Sequence, residues 1–551
     1  MDSILTAMPE MRDAIIIGSG HNGLVAAAYL ARAGLEVEVL ERNATAGGAV
    51  ASEQLTLPGY VHDTFSSWHP LFVLSGTYAE LGDELRARGL DYCESPEETS
   101  ATVAPDGRAV IAYRDPERTA EGFDPRDRDP YLAEIGRFGE TIETVGALLG
   151  SELFSFDAAK LTGTLVRSLG RRGALGFTAD VLSSARAWFE TRFHGSEVSD
   201  LYAPWTLHTG LAPDAAGSGF QALAIAASVH AVGLPVVRGG SAGFVAAFER
   251  LISDHGGRVR TGAEAGRISV RGGRAAAVVA GGEELGARRA VVANTTPTQL
   301  YGRLLAEGDA PRAAVEEGRR YRYNPRSGMQ IHLALSEPLR WRDSRLNRVP
   351  IVHLSDGLGS VLVACAQAAA GQLPASPTIV VGQPTVLDPS RAPDGGSVLW
   401  IQLQQVPYRP VADAAGEIDV GDGTWNEQLV EAFTERVLAH LAPHLENWPA
   451  VRLATVALSP AEIERRNPNL VRGDIYAGDC ELAQSWLWRP LTSFGSHSTP
   501  VEDLYQCGAS TYPGPGLNAA SGRIVGLRAA AQRGAIQRAA GRVVRMGPAA
   551  R

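Results

Sequence analysis

The spacing of three glycines near the N-terminus constrains this chain more than any other feature. Gly18, Gly20 and Gly23 stand at G-x-G-x-x-G intervals, directly after the apolar run 14–17 and before the alanine- and leucine-rich stretch 24–33. A short apolar run suits a buried parallel strand. The first glycine allows a tight turn, the second lets backbone approach a pyrophosphate, and the third lets helix pack closely on strand. The N–H groups and positive dipole end at the helix start hold phosphates. Gly34 is the stop glycine of that helix, and 36–40 reads as the second strand. Glu41, at its end, is placed to accept from a ribose hydroxyl. Together these predict a dinucleotide site, without choosing between NAD and FAD.

The next residues narrow the choice. Arg42 follows Glu41, and after four more residues comes a second glycine pair, Gly47-Gly48. This pattern resembles the FAD-dependent superfamily of amine oxidases and phytoene desaturases. The resemblance implies bound FAD, with Glu41 on the ribose, Arg42 in the same motif, and Gly47 and Gly48 near the pyrophosphate. It extends to Arg238-Gly239-Gly240-x-x-Gly243 before a helix, and to a closing strand, Pro/Gly turn and helix over 504–531. There Gly508, Ala509, Gly516, Leu517 and Asn518 match the segment that closes the FAD site beside the isoalloxazine. The family often has Thr-His-Pro where this chain has Thr511-Tyr512-Pro513. The wording of the motifs is nearest the phytoene-dehydrogenase-related branch.

The implied fold class is α/β. A discontinuous Rossmann-like FAD-binding domain of the GR2 flavoprotein type is joined to a mixed α+β substrate domain. The expected divisions are 9–90, 235–300 and 491–545 for the FAD-binding domain, 91–234 for a mostly helical cap, and 301–490 for a substrate-side sheet with helices. Within these, 91–113 reads as a hairpin turning at Asp106-Gly107, and 201–232 as continuous helix. Strands at 329–336 and 397–406 alternate, with Trp400 and Gln402 expected on opposite faces, which suits one face on a core and the other lining a cavity. Trp486 and Trp488 are expected on one side of a strand.

Composition excludes several classes. A net charge of −10 argues against nucleic acid. The four cysteines are scattered with no C-x-x-C, so a zinc ribbon, an iron–sulfur cluster and a redox disulfide lose support; no metal site is expected. The only lysine is Lys160, so a catalytic lysine is excluded elsewhere. No secretory signal reads from 1–12 and no transmembrane run occurs, so the expected location is the cytoplasm, with peripheral membrane contact and a homodimer left open.

A flavin carries its own reactivity, and the protein positions the substrate. The candidates for a base are His497, Tyr512 and His230, with His208 and Glu464 as weaker ones; a histidine in an apolar helix, like His230, is more often a core residue. Pocket candidates are Phe65, Ser66, Trp68 and His69, from a segment the family runs past the flavin, and Arg489, as readily structural as substrate-binding. The first functional expectation is dehydrogenation of a largely apolar small molecule, with oxygen or a quinone reoxidising the flavin. Oxidation of an amine C–N bond is the second. A flavoprotein isomerase or an FAD-bound scaffold is the third.

Overall fold

The computed structural model describes residues 10–493 and 495–531. Residue 9 and the stretch 532–545, both assigned above to FAD-binding segments, lie outside the described residues.

The first sheet has seven strands. Strand β1 (Met11–Ile17) leads through α1 (His21–Arg32) to β2 (Val37–Leu40), which pairs parallel with β1. On the other side of β1 lies the long strand Glu283–Ala293, also parallel, and Leu504–Gln506 extends the sheet from its far end. Arg258–Arg260 adds beside β2, and the hairpin Ala265–Arg271 with Arg274–Ala280 adds antiparallel at the opposite edge. Alternation decides the packing of β1. Ala14 and Ile16 enter a core with α1 and the helix Ala242–Asp254, while Ile15 and Ile17 enter the core on the other face, with Leu300, Tyr301 and Leu304. A strand buried on both faces needs the unbroken apolar run seen in the sequence.

The second sheet also has seven strands, in the order Arg452–Leu458, Ser327–Leu335, Ser397–Val406, Ile379–Gly382, Ile351–Leu354, Glu98–Val103 and Ala109–Tyr113. Met329, Ile331 and Leu333 share a core with Leu399, Ile401, Leu403 and the helix Glu427–Leu441. The opposite face meets segment 62–68 and the helical region. The hairpin of 98–113 turns at Gly107, whose φ of 88° favours glycine.

Two expectations are corrected. Residues 201–232 are not one helix: Glu197–Leu207 ends, the chain turns through Gly210 and Gly217 at φ 83° and 87°, and Ser218–Val232 restarts. Pro213 lies between those glycines, and the hydrophobicity on both sides masked the break. Trp486–Trp488 is a 3-10 turn with Trp486 at φ 50°, not a strand.

Candidate functional site

The early glycine turn and the closing Pro/Gly turn line one cleft. Gly18, Gly20, Glu41, Arg42 and Gly48 form one side; Gly508, Ala509, Gly516 and Leu517 form another. Its empty space, open mouth included, is about 1330 Å³. Among the lining residues Arg303 pairs with Glu264 at 2.7 Å, the Ser66 N–H donates to the Ala49 carbonyl at 3.2 Å, and Ala49 and Ile475 share an apolar cluster.

The glycines are required by close approach. A Cβ at Gly23 would lie 2.2 Å from the Gly18 carbonyl oxygen, and one at Gly47 2.2 Å from that of Val50. Gly20 and Gly47 are joined by a parallel bridge, so the two glycine loops form one surface. Gly20 caps α1 without a side-chain bond, and the first turn carries no acidic residue. That leaves the helix terminus electropositive for an anion. Glu41 is 5% exposed; its Oε2 accepts from the Ser19 N–H at 3.0 Å and hydroxyl at 2.6 Å, and its Oε1 from the Asn43 N–H at 2.8 Å. These bonds fix the carboxylate at the strand end. The closing helix, from residue 520, packs directly on α1. The Gly522 N–H donates to Asn22 Oδ1 at 2.9 Å, and a Cβ there would meet the Asn22 carbonyl oxygen at 2.2 Å.

Sequence reasoning missed Asn294. It ends the strand Glu283–Ala293 and lies against the turn; with its amide oxygen facing in, it accepts from the Gly20 and Gly23 N–H groups at 3.3 Å. The next residue, Thr295, lines the cleft and has a buried hydroxyl with no protein partner. The signal was the run RAVVAN, whose last residue must fall at the carboxyl end of the sheet, where ligands bind in open α/β folds. Taken together, the anion-ready helix end, the anchored carboxylate, the glycine-only loops and the unpartnered threonine fit FAD.

Comparisons with known proteins agree. Residues 16–81 match the family model for an NAD(P)-binding Rossmann-like domain. A limonene dehydrogenase polypeptide of Castellaniella defragrans is 27% identical, over 91% of each chain. The zeta-carotene-forming phytoene desaturase of Myxococcus xanthus is 26% identical, over 93% of this chain and 92% of its own. The chain is similar to members of the FAD-dependent amine oxidase and phytoene desaturase superfamily. It is an oxidoreductase, and its cofactor is FAD. The structure of putrescine oxidase bound to putrescine superposes with a TM-score of 0.59 over 95% of this chain and 99% of that one; at 17% identity it shows the fold alone.

In this flavoprotein the other sequence candidates fall elsewhere. Of the four residues from segment 65–69, Ser66 lines the cleft. Trp68 packs with the helical region, near Gly382 and Trp400. His69 is fully buried, with Nδ1 2.9 Å from the Tyr92 hydroxyl and its ring against Phe244. Arg489 is buried and donates to the backbone carbonyls of Ala509 at 3.0 Å and Asp479 at 2.9 Å, so it braces the closing turn. Asn518 follows the lining residues, its Oδ1 accepting from the Ala520 N–H at 2.9 Å.

None of the three base candidates is among the residues lining the cleft. His497 is held between Glu152 Oε2, 3.0 Å from Nδ1, and the Tyr512 carbonyl, 2.9 Å from Nε2. The Tyr512 hydroxyl donates to the Leu148 carbonyl at 2.8 Å. His230 has Nε2 2.6 Å from the Tyr131 hydroxyl and Nδ1 2.8 Å from the Tyr113 carbonyl oxygen. In each case the polar atoms engage structural partners. The cysteines are all free and buried. Among the described residues there is no cluster suited to a metal and no helix long and apolar enough to cross a membrane.

Proposed function

We propose that this flavoprotein dehydrogenates a largely apolar small molecule, forming a C=C bond, with oxygen or a quinone as the final electron acceptor. Bound FAD supplies the hydride acceptor. The protein's task is then to seat the substrate C–H bond and keep water out. The segments 9–90, 235–300 and 491–545 serve as the cofactor domain and the remainder as the substrate-selecting part, in a cytoplasmic protein.

One observation carries the choice of substrate. The two carboxylates that line the cleft are already engaged, Glu41 by Ser19 and Asn43 and Glu264 by Arg303, and no phenylalanine, tyrosine or tryptophan lines it. An alkylammonium ion loses its hydration on entry and needs one or the other in return. An uncharged, mostly hydrocarbon skeleton needs neither. The names of the two relatives, a limonene dehydrogenase and a phytoene desaturase, point the same way.

The test is anaerobic titration of the purified yellow protein. Monoterpene-sized alkenes and cyclic ketones should bleach the oxidised flavin spectrum, and primary amines should not. Bleaching by amines alone would replace this reading with C–N oxidation.

A further inference from the structure

The substrate-side sheet turns an unusually polar face toward segment 62–68 and the helical region. Two neighbouring cross-strand rows run over it. One is Gln330, Gln402, Val380 and His353; the next is His332, Trp400, Gly382 and Ile351. The segment bearing Ser66 lies on this face. The His62 and His332 ring centroids are 5.3 Å apart, and the Trp400 indole N–H donates to the Phe65 carbonyl at 3.1 Å. Ile475, a cleft residue, lies over Gly328, where a Cβ would meet it at 2.6 Å. The polar rows therefore begin behind Ile475.

Many of these polar groups lack a partner. Both ring nitrogens of His332, the side-chain oxygens of Gln330 and Gln404, Nδ1 of His353 and the indole N–H of Trp68 are buried without a well-aligned hydrogen bond. Native interiors leave few such atoms unpaired, and several of those in this chain share one face of one sheet. The face is also uncharged. Burial pushes His332 down to about 3 and His62 down to about 4, so both rings are neutral at physiological pH. Arg391, the buried cation beside His62, is held by Asp63 and Asp388. Neutral amides and imidazoles can donate to or accept from a neutral oxygen. They give a carboxylate or an ammonium no counter-charge.

We infer that the substrate carries one neutral oxygen function, a carbonyl or a hydroxyl, received by the strand face of Gln330, His332, Gln402 and Gln404, with its hydrocarbon part lying toward Ile475. This rests on the dehydrogenase reading above and narrows it. A pure hydrocarbon on this face would leave the side-chain oxygens of Gln330 and Gln404 unpaired.

The test has two arms, both on the flavin-loaded protein. The first titrates a cyclic monoterpene ketone and the hydrocarbon of the same skeleton, following the visible spectrum of the bound flavin. The ketone is expected to bind about tenfold tighter or more, and Gln330→Leu with His332→Leu should abolish the preference. Equal or tighter binding of the hydrocarbon, or no spectral change with either, overturns the inference. The second arm is thermal unfolding of the two leucine variants without ligand. If their polar groups await a ligand, Tm should hold or rise; a fall of more than about 4 °C shows a structural role and overturns it. A yellow protein that prefers the hydrocarbon defeats this inference alone, whereas bleaching by amines defeats the dehydrogenase reading beneath it.

Discussion

Replacing Arg391 by methionine should cost this protein more stability than removing most core side chains. Arg391 and its partners Asp63 and Asp388 are all fully buried. Its Nη1 pairs with Asp63 Oδ2, its Nε with Asp388 Oδ2 at 3.1 Å, and its Nη2 donates to the Val237 carbonyl at 2.8 Å. Three parts of the chain meet there: the Ser66 segment, the turn before Ala242–Asp254, and the 388–391 stretch that leads to the substrate-side sheet. Burial opposes ionisation of Asp63. Arg391, the Ser241 N–H and the Ser67 hydroxyl outweigh it and hold that carboxyl below its ordinary range. Removing one partner of a buried pair costs about 3–5 kcal/mol, because the remaining charge is left uncompensated. Here two carboxylates would be stranded, but Asp63 keeps donors from Ser52 at 2.7 Å, Ser67 at 2.6 Å and Ser241 at 2.7 Å. The same range of about 3–5 kcal/mol therefore applies, rather than twice it.

The pH dependence supplies a fingerprint. In the wild type the depressed Asp63 contributes stability above its unfolded pKa that is lost as pH falls below it. In Arg391→Met the stranded carboxyl prefers its proton, so the deficit should be largest near pH 8 and shrink toward pH 5. Urea unfolding of the yellow protein at both pH values measures this, and adding Asp63→Asn to Arg391→Met should recover part of the loss. A loss under about 1 kcal/mol, or a double variant equal to the sum of the singles, would refute the argument.

Two further outcomes follow from the cofactor side. Alanine normally stabilises a helix over glycine by about 1 kcal/mol, yet Gly23→Ala should yield protein with little bound flavin. Its new Cβ would meet the Gly18 carbonyl oxygen at 2.2 Å and push α1 off the turn; the ratio of flavin to protein absorbance checks this, and a ratio equal to the wild type's contradicts it. Tyr512→Phe should leave the rate of flavin reduction within about threefold while loosening the tip of the helical region, since its hydroxyl holds the Leu148 carbonyl. Faster hydrogen exchange around 143–156 with unchanged reduction is the expected pair of results; a large loss of rate would return Tyr512 to the chemistry.

What was legible in the sequence, and what was not, divides by the range of the interactions. The glycine turns could be read because each is forced by backbone within a few residues: Gly23 by Gly18, Gly47 by Val50. The hairpin at Gly107 is equally local, whereas Glu41 is anchored partly by Asn43 and partly by Ser19, 22 residues back in the chain. The alternation in MQIHLAL separates its two faces, since a period of two needs only the strand itself, but Trp400 and Gln402, expected on opposite faces, share one because residues two apart point the same way. It could not tell what that face meets, because segment 62–68 arrives from more than 250 residues away in sequence. The histidine candidates failed to reach the cleft for the same reason. His230 and His497 were chosen by residue type and local setting, and what occupies their nitrogens is Tyr131 from another helix and Glu152 from the tip of the cap. A side chain that must be free to exchange a proton is recognised only when all its neighbours are known. A buried polar atom that lacks a neighbour is recognised the same way, which is why the unpaired wall of Gln330 and His332 emerges only from the folded chain.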